Sequence, residues 1–364
     1  MTSRIQKVGV IGCGSRGNQL VRCFLASGRA DIVAVADSNA RSRESAKKIV
    51  PAGCLIHDDA AKVLDDPSIE VVYVGTPDDS HADLVIAGLD AGKAVICDKP
   101  MAITLGNCDR MVAAAQKTKG FLGVSMQNRY SFWCTTMKQL LLNGELGNAK
   151  MMWCREFRRP FSRNKVGNWI LYHERSGGPF VEKNSHHWDI FNWWAQSRAV
   201  EVHAVTQNTG VHAPGDIWDC GWATVEYANG VIANLGLSMI SPHGHDLDMG
   251  IVGTKGWAES IRTKDGGTVH LHENAEPHSR TYHANLPEEM AEMGHSGAEF
   301  PMIADLFDCI EQHTEPKTNC WWGRESIIIG LAAERSAREK RIIPVDEIRA
   351  ESRFPVDSGP LNPC

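Results

Sequence analysis

The sequence predicts two domains, first an α/β domain built on a parallel sheet and then an α+β domain built on an antiparallel sheet. Two observations predict them: the period of the apolar residues changes near residue 125, and a glycine-rich turn follows the first apolar run. The length of 364 residues agrees, because a chain of that size usually folds as two domains. We place the domains at residues 1–126 and 127–364.

In the first domain, short apolar runs alternate with segments of helical period. The runs are residues 8–11, 32–36, 71–75, 94–97 and 122–124. After Pro77, the residues Leu84, Val85 and Leu89 recur at helical spacing, which predicts a helix that covers the sheet. Strands that alternate with helices are typical of βαβ units and therefore of a parallel sheet.

In the second domain, the apolar period changes toward two. Residues 151–158 alternate in this way, which predicts half-buried antiparallel strands. Asn229-Gly230 separates the runs 222–227 and 231–239, and this predicts a hairpin with positive φ at both central residues of the turn. Two helical stretches, 300–312 and 324–340, follow, and we expect both to pack on the second sheet.

The charge and hydropathy patterns argue against several classes of partner. A net charge of -6 provides no basic surface for a nucleic acid. No apolar run approaches the roughly 18 uncharged residues that a membrane span needs. The first residues lead directly into a strand-like run without the order of a secretory signal, so we predict a cytoplasmic protein.

The cysteines and histidines show no metal-binding pattern. The 11 cysteines are scattered without a C-x-x-C pair, which favours reduced thiols. Histidines cluster at His186, His187, His243 and His245, but no H-E-x-x-H pattern accompanies them. We therefore predict no metal site.

The glycine-rich turn lies between the strand-like residues 7–11 and the amphipathic residues 19–26. It consists of Gly12, Cys13, Gly14, Ser15, Arg16 and Gly17. In such a turn the first glycine allows the tight bend, the second lets the main chain approach a pyrophosphate, and the third lets the helix pack closely. The following helix start would provide N–H groups to the phosphates.

Asp37 strengthens this prediction, because it ends the second strand about twenty residues after the third glycine. A carboxylate there accepts hydrogen bonds from the adenosine ribose and repels a 2′-phosphate, which favours NAD over NADP. Arg41 and Arg43 lie close enough to bind a 2′-phosphate, although exposed helix charges are their simpler interpretation. The alternative for the whole motif is a glycine turn beside a surface aspartate.

Two further segments follow predicted parallel strands, residues 75–81 and residues 97–100. In an open α/β sheet, ligands bind at the carboxyl ends of the strands. Lys99 lies between a buried strand and Pro100, so its cation could point into that crevice. The alternative is a surface lysine.

Several of these motifs together resemble one family and span nearly the whole chain. They are residues 8–14, 76–93, Asp98-Lys99-Pro100, residues 143–147, Trp169, Gly177-Gly178 and residues 182–189. The sequence is similar to the glucose-fructose oxidoreductase/inositol dehydrogenase/MocA (Gfo/Idh/MocA) family. It departs from the family in having Asp98 where Glu is typical, and Glu182 where Asp is more typical, four residues before His186.

The resemblance implies a Rossmann domain with a doubly wound parallel sheet, followed by a domain with a large open, mainly antiparallel sheet. It implies a catalytic role for Lys99, His186 and Glu182. For the cofactor it implies contacts from Gly12, Cys13, Gly14, Ser15, Arg16, Gly17, Asp37, Thr76, Pro77, His81, Asp98, Lys99 and Asn128. For the substrate it implies contacts from Lys99, Arg129, Trp169, Glu182, Lys183 and His186.

The bottom-up alternatives stay open at this stage. Arg129 could pair with a structural carboxylate, and Trp169 could be an ordinary loop residue. If Asn184 or Ser185 caps a helix over residues 186–195, the cap would hold His186 rigidly. Otherwise His186 belongs to the polar end of an aromatic helix.

The predicted function is an NAD(P)-dependent oxidoreductase that acts on CH–OH groups of a sugar, inositol or related polyol. A histidine with a pKa near neutrality can take the hydroxyl proton as hydride leaves carbon, and a lysine cation stabilises the alkoxide. An alternative enzyme would oxidise its substrate transiently to allow elimination or glycoside cleavage, and a third possibility is a sensor of nicotinamide nucleotides. An open sheet also predicts a homodimer or homotetramer.

Overall fold

A computed structural model describes residues 4–162, 166–242, 245–261, 267–273, 279–284, 293, 295–355 and 358–359, without the side chains of Val166 and His245. His243 and the side chain of His245, named above as metal candidates, lie outside the described part. Within that part, no group of three His, Cys, Asp or Glu side chains is placed to hold a metal ion. The ten cysteines found there are free.

The N-terminal sheet has six parallel strands in the order β3-β2-β1-β4-β5-β6. They are β1 Gln6–Ile11, β2 Ala30–Ala36, β3 Leu55–His57, β4 Val71–Val74, β5 Ala94–Cys97 and β6 Leu122–Val124. Because the chain winds outward in opposite directions from β1 and β4, a crevice forms between their carboxyl ends. The predicted doubly wound parallel sheet is confirmed.

Helices cover both faces of this sheet. They are α1 Ser15–Ala26, α2 Ala40–Ala46, α3 Ala61–Leu64, α4 His81–Asp90 and α5 Leu105–Thr118. The helical stripe predicted after Pro77 is confirmed in α4, where Val85 and Leu89 are fully buried against the sheet. The division at residues 126 and 127 stays a prediction.

The second sheet has nine strands in the order β14-β13-β12-β11-β7-β10-β9-β8-β15. They are β7 Ala149–Arg158, β8 Ala199–Gln207, β9 Cys220–Tyr227, β10 Ile232–Ser238, β11 His245–Gly253, β12 Gly256–Ile261, β13 Thr268–Glu273, β14 Ser279–His283 and β15 Ile343–Pro344. The described pairings are antiparallel except for β7 with β10, which is parallel. The sheet is open and mainly antiparallel, as predicted.

The hairpin of β9 and β10 is confirmed, but the predicted turn type is wrong. Gly230 has φ +82°, whereas the φ angle of Asn229 is not positive. The N–H of Gly230 donates to the carbonyl of Tyr227 at 2.8 Å, and the N–H of Tyr227 donates to Val231 at 2.9 Å. These contacts define a three-residue loop, in which only the last residue needs the left-handed conformation.

The helices of the second half are α6 Phe132–Leu142, α7 His173–Ser176, α8 Pro179–Glu182, α9 Ser185–Ala195, α10 Glu299–Gln312, α11 Cys320–Glu339 and α12 Val345–Arg349. Short 3₁₀ helices occupy Asp78–Ser80, Gln127–Tyr130 and Val166–Leu171. Within the part of the chain that the structure describes, none of the helices is long and apolar enough to cross a membrane.

The expected packing of the C-terminal helices is correct for α11 and wrong for α10. In α11, Ile328 and Ile329 join the core of the second sheet. In α10, by contrast, Ile303 and Phe307 are buried with Phe24 against the N-terminal sheet. An apolar stripe shows that a helix face is buried, but it does not identify the sheet that covers it.

Candidate active site

The glycine-rich turn joins the end of β1 to the start of α1. Gly12 has φ +98°, and a Cβ atom there would lie 2.5 Å from the carbonyl oxygen of Gly75. A Cβ atom on Gly17 would lie 1.8 Å from the carbonyl oxygen of Gly12. Gly14 precedes α1 and faces open space, and the start of α1 has no side-chain cap. The bend at Gly12 and the close helix packing at Gly17 therefore require glycine. The N–H groups at the start of α1 are suited to binding a pyrophosphate.

Asp37 is anchored beside this turn. Its carboxylate accepts hydrogen bonds from the N–H of Cys13 and the N–H of Asn39, both at 2.8 Å. Arg43 donates to the carbonyl oxygens of Asp37 and Ser38, at 2.8 and 2.9 Å. The carboxylate thus lies at the turn, while Arg43 is bound to the main chain.

His81 connects the two loops at the carboxyl ends of β4 and β5. Its ring nitrogens lie 2.9 Å from the carbonyl oxygen of Pro100 and 3.0 Å from that of Thr76. The side chain is buried, and burial lowers its pKa. These contacts favour a role in holding Thr76, Pro77 and the Lys99 loop in place over a direct cofactor contact.

Lys99 and Glu182 come together across the crevice. The Lys99 ammonium donates to the carbonyl oxygen of Glu182 at 2.8 Å and to its Oε1 at 3.3 Å. Asp98 is not the partner of the lysine, because its carboxylate lies 3.3 Å from the Nε of Arg16. The carboxylate that pairs with Lys99 is that of Glu182.

His186 lies in the first turn of α9, close to Lys99. Burial lowers the pKa of His186 well below its usual value, and the charge of Lys99 lowers it further. The imidazole is therefore neutral at neutral pH and able to accept a proton. Lys99, Glu182 and His186, the three predicted catalytic residues, converge at the carboxyl end of the N-terminal sheet.

The predicted side-chain cap of α9 does not form. Asn184 is the residue before the helix, but its side chain makes no capping hydrogen bond. Its Nδ2 instead lies 3.2 Å from the Nδ1 of His187. His186 is held by burial, since only 3% of its surface is exposed.

Arg129 forms a buried ion pair, which is the alternative that the sequence left open for it. Its guanidinium forms two hydrogen bonds to Asp189, at 2.6 and 2.7 Å, and a third to the carbonyl of Lys317 at 2.8 Å. It also lies 4.3 Å from the ring centre of Trp322. These contacts favour the structural ion pair, and a substrate contact by Arg129 stays a prediction.

The other predicted contact residues lie on three separate elements. The Nζ of Lys183 lies 3.0 Å from the Oε1 of buried Glu156, which argues for an internal ion pair. Trp169 is partly buried against the core of the second domain, and Asn128 is partly exposed in the Gln127–Tyr130 helix. A substrate contact by Trp169 and a cofactor contact by Asn128 stay predictions.

The sequence reasoning missed a polar cluster around Arg16, which was predicted only as a turn residue. The guanidinium donates to Glu299 at 2.8 Å and to Gln127 at 3.3 Å. Glu299 also lies 2.6 Å from the Nδ1 of His295. The spacing of His295 and Glu299 along the chain was an available signal, whereas nothing in the sequence distinguished Gln127.

Family models match both parts of the chain. Residues 6–126 match the model described as an oxidoreductase family with an NAD-binding Rossmann fold. Residues 138–346 match the model for the C-terminal alpha/beta domain of the same oxidoreductase family. Together these matches cover most of the sequence.

Individual relatives are similar at lower identity. The chain is 29% identical to 1-carboxy-3-chloro-3,4-dihydroxycyclo hexa-1,5-diene dehydrogenase of Comamonas testosteroni, over 69% of this chain and 62% of that protein. It is 23% identical to myo-inositol 2-dehydrogenase of Thermotoga maritima, over 94% of this chain and 99% of that protein.

Solved structures share the fold over nearly the whole length. Levoglucosan dehydrogenase in complex with NADH is 18% identical, with a TM-score of 0.83 over 94% of this chain and 99% of that chain. Aldose-aldose oxidoreductase from Caulobacter crescentus is 20% identical, with a TM-score of 0.79 over 94% of this chain and 100% of that chain. With its two family domains in sequence order, the chain belongs to the Gfo/Idh/MocA family and is an NAD(P)-dependent oxidoreductase.

Proposed function

We propose that the protein transfers a hydride between NAD and a secondary alcohol of a sugar, inositol or related polyol. The observation that carries the proposal is the convergence of Lys99, Glu182 and His186 beside the glycine-rich turn. Relatives named as inositol 2-dehydrogenases support this class of substrate.

The side chains have complementary tasks in this reaction. Lys99, oriented by Glu182, donates a hydrogen bond to the reacting oxygen and stabilises its negative charge. Neutral His186 takes the hydroxyl proton, and returns it in the reverse direction. When bound, the nicotinamide accepts or supplies the hydride.

NAD is the proposed cofactor in preference to NADP. Gly12, Gly14 and Gly17 would hold the pyrophosphate, and Asp37 would accept hydrogen bonds from the adenosine ribose. Two features support the choice: the Asp37 carboxylate lies at the turn, and Arg43 already donates to two carbonyl oxygens. A 2′-phosphate would meet a negative charge there.

Replacing Asp37 should weaken NAD binding and should reduce the selectivity of the protein for NAD over NADP. For Asp37→Ala we expect the Kd for NADH to rise about 10- to 100-fold, the effect of losing one or two charge-assisted hydrogen bonds. Fluorescence titration with NADH and NADPH measures both affinities. Asp31→Ala, at an exposed position of β2, is the matched control. Unchanged affinity for NADH would remove Asp37 from the cofactor site.

The proposal is tested by mixing the protein and NAD with each member of a panel of monosaccharides, inositols and simple glycosides. The absorbance of the reduced nicotinamide is followed, and the products are identified. Net NAD reduction with one class of polyol is the expected result. Conversion of a glycoside without net reduction would instead establish transient oxidation. Tight NADH binding without any reaction would favour a nucleotide sensor.

We also propose that the protein forms a homodimer or homotetramer through the outer face of the second sheet. That face carries exposed apolar side chains on the adjacent strands β7, β10, β9 and β8, which are Met151, Ile232, Trp222 and Val205. An exposed apolar face on an open sheet is normally covered by another surface.

Placing a charge in the middle of this face should break the assembly. For Trp222→Glu we expect a monomer in sedimentation velocity, at a concentration where the wild-type protein is a dimer or tetramer, because a buried unpaired carboxylate is costly. Leu55→Glu, at an exposed position of β3 in the first domain, is the control. A wild-type monomer, or an assembly unaffected by Trp222→Glu, would contradict this interface.

A further inference from the structure

Gln127 lies between the cofactor turn and His186. The residue is fully buried in the Gln127–Tyr130 helix that follows β6. Its Oε1 lies 3.3 Å from the Nη2 of Arg16, and its Nε2 lies 3.2 Å from the Nε2 of His186. The amide therefore connects a fixed cation on one side to the proposed base on the other.

The chemistry of arginine determines which way this amide points. A guanidinium only donates hydrogen bonds, so the atom that faces Arg16 is the amide oxygen. The amide nitrogen, also a donor, then faces His186, whose Nε2 must be the acceptor. A neutral imidazole that accepts at Nε2 carries its proton on Nδ1, which is buried without a hydrogen-bond partner among the described residues.

Arg16 is itself held in place, so the amide has little freedom to turn. The guanidinium is bound by the carboxylates of Asp98 and Glu299 and by the side chain of Gln19. If the amide flipped, its nitrogen would face the guanidinium and two donors would oppose each other. The geometry thus selects one orientation of Gln127.

The charged surroundings also disfavour a protonated His186. Lys99, Lys183, His295 and His187 are the groups whose charges oppose protonation of the ring. The nearby carboxylates are already bound, Glu182 by Lys99 and Glu299 by Arg16 and His295. In an imidazolium, moreover, the N–H at Nε2 would oppose the amide nitrogen of Gln127.

We propose that Gln127 is a positioning residue that holds His186 as the neutral Nδ1–H tautomer, with Nε2 as the proton-accepting atom. The inference rests on the proposed function of His186 as the base. During alcohol oxidation the O–H bond breaks and an N–H bond forms at Nε2, while the carbon loses a hydride to the nicotinamide. Before this transfer, the substrate hydroxyl replaces the Gln127 amide as the donor to Nε2.

The tautomer can be measured without any substrate. The full-length protein is labelled with ¹⁵N-histidine, and nitrogen NMR at neutral pH distinguishes protonated from unprotonated ring nitrogens. His186→Asn identifies the signals of His186 by their loss. We expect wild-type His186 to carry its proton on Nδ1, with and without NAD.

Two variants of Gln127 separate its hydrogen bond from its volume. In Gln127→Leu the tautomer equilibrium of His186 should change by about tenfold toward the Nε2–H form, which is the effect of losing one hydrogen bond. In Gln127→Glu the carboxylate accepts from Nε2–H, so the imidazolium should persist to higher pH. Gln139→Leu and Gln139→Glu, at an exposed position of α6, are the controls. A wild-type proton on Nε2, or a tautomer unaffected by Gln127→Leu, would overturn the inference.

Activity measurements distinguish this inference from the proposed function. In Gln127→Glu the acidic limb of the kcat/KM profile should move to higher pH, whereas a merely structural defect lowers the rate at every pH. If His186→Asn retained full activity while the NMR result held, His186 would not be the base, although Gln127 would still set its tautomer. If Gln127→Leu lost the NMR signature of folded histidines, Gln127→Glu would become the decisive test.

Discussion

Lys99→Met should lower kcat for polyol oxidation by about 10²–10³-fold, the usual effect of removing one donor that stabilises a developing oxyanion. The physical reason is that the Lys99 ammonium is held by the carbonyl oxygen and the carboxylate of Glu182 in the crevice. A charge placed there in advance stabilises the alkoxide without reorganising the site. Steady-state kinetics with the substrate found in the panel measures the loss.

The affinity for NADH should change little in Lys99→Met, because the residues proposed to bind the dinucleotide phosphates and ribose are not altered. Lys117→Met serves as the matched control, since 77% of that side chain is exposed on α5. A Lys99→Met protein with normal kcat would show that another group stabilises the transition state. Loss of NADH binding together with kcat would instead place Lys99 in the cofactor site.

Arg129→Met should reduce the free energy of unfolding by about 3–5 kcal/mol, because it leaves the carboxylate of Asp189 buried without its partner. The side chains of both residues are buried, with exposures of 3% and 1%. Burial alone raises the pKa of Asp189, and Arg129 opposes that effect. Urea denaturation followed by tryptophan fluorescence measures the change.

An exposed ion pair provides the control for this experiment. Arg110 of α5 pairs with Asp83 of α4 at 2.7 Å in the first domain, and their side chains are 49% and 77% exposed. Arg110→Met should therefore cost less than about 1 kcal/mol. The double variant Arg129→Met/Asp189→Leu should recover part of the loss, because it removes the unpaired charge. Equal losses for Arg129→Met and Arg110→Met would contradict the structural role of the buried pair.

Features that depend on neighbouring residues could be predicted from the sequence. Gly12 and Gly17 belong to one strand–turn–helix unit, so their spacing already indicates the bend and the close packing. The period of the apolar residues predicted α4, five of the six strands of the first sheet, and β7, β9 and β10 of the second, because each pattern reflects which side of an element is buried. Even the hairpin at Gly230 was predictable, although its exact turn was not.

Features that depend on residues distant in the chain could not be predicted in the same way. The partner of Arg129 lies 60 residues away, and Glu299 lies 283 residues from Arg16. A charged side chain has the same local pattern whether it binds a substrate or a structural carboxylate. The surroundings of Gln127 likewise depend on an arginine and a histidine from two other elements.

By itself, the sequence determined the two-domain plan and the glycine-rich turn, and its resemblance to the Gfo/Idh/MocA family indicated Lys99, Glu182 and His186 as candidate catalytic residues. Only the tertiary structure decided that Lys99 pairs with Glu182 instead of Asp98, that α10 covers the first sheet, and that Arg129 is occupied by Asp189. The physical reason is that sterics and periodicity act within a few residues. Charge pairing and burial, by contrast, depend on the elements that folding brings together.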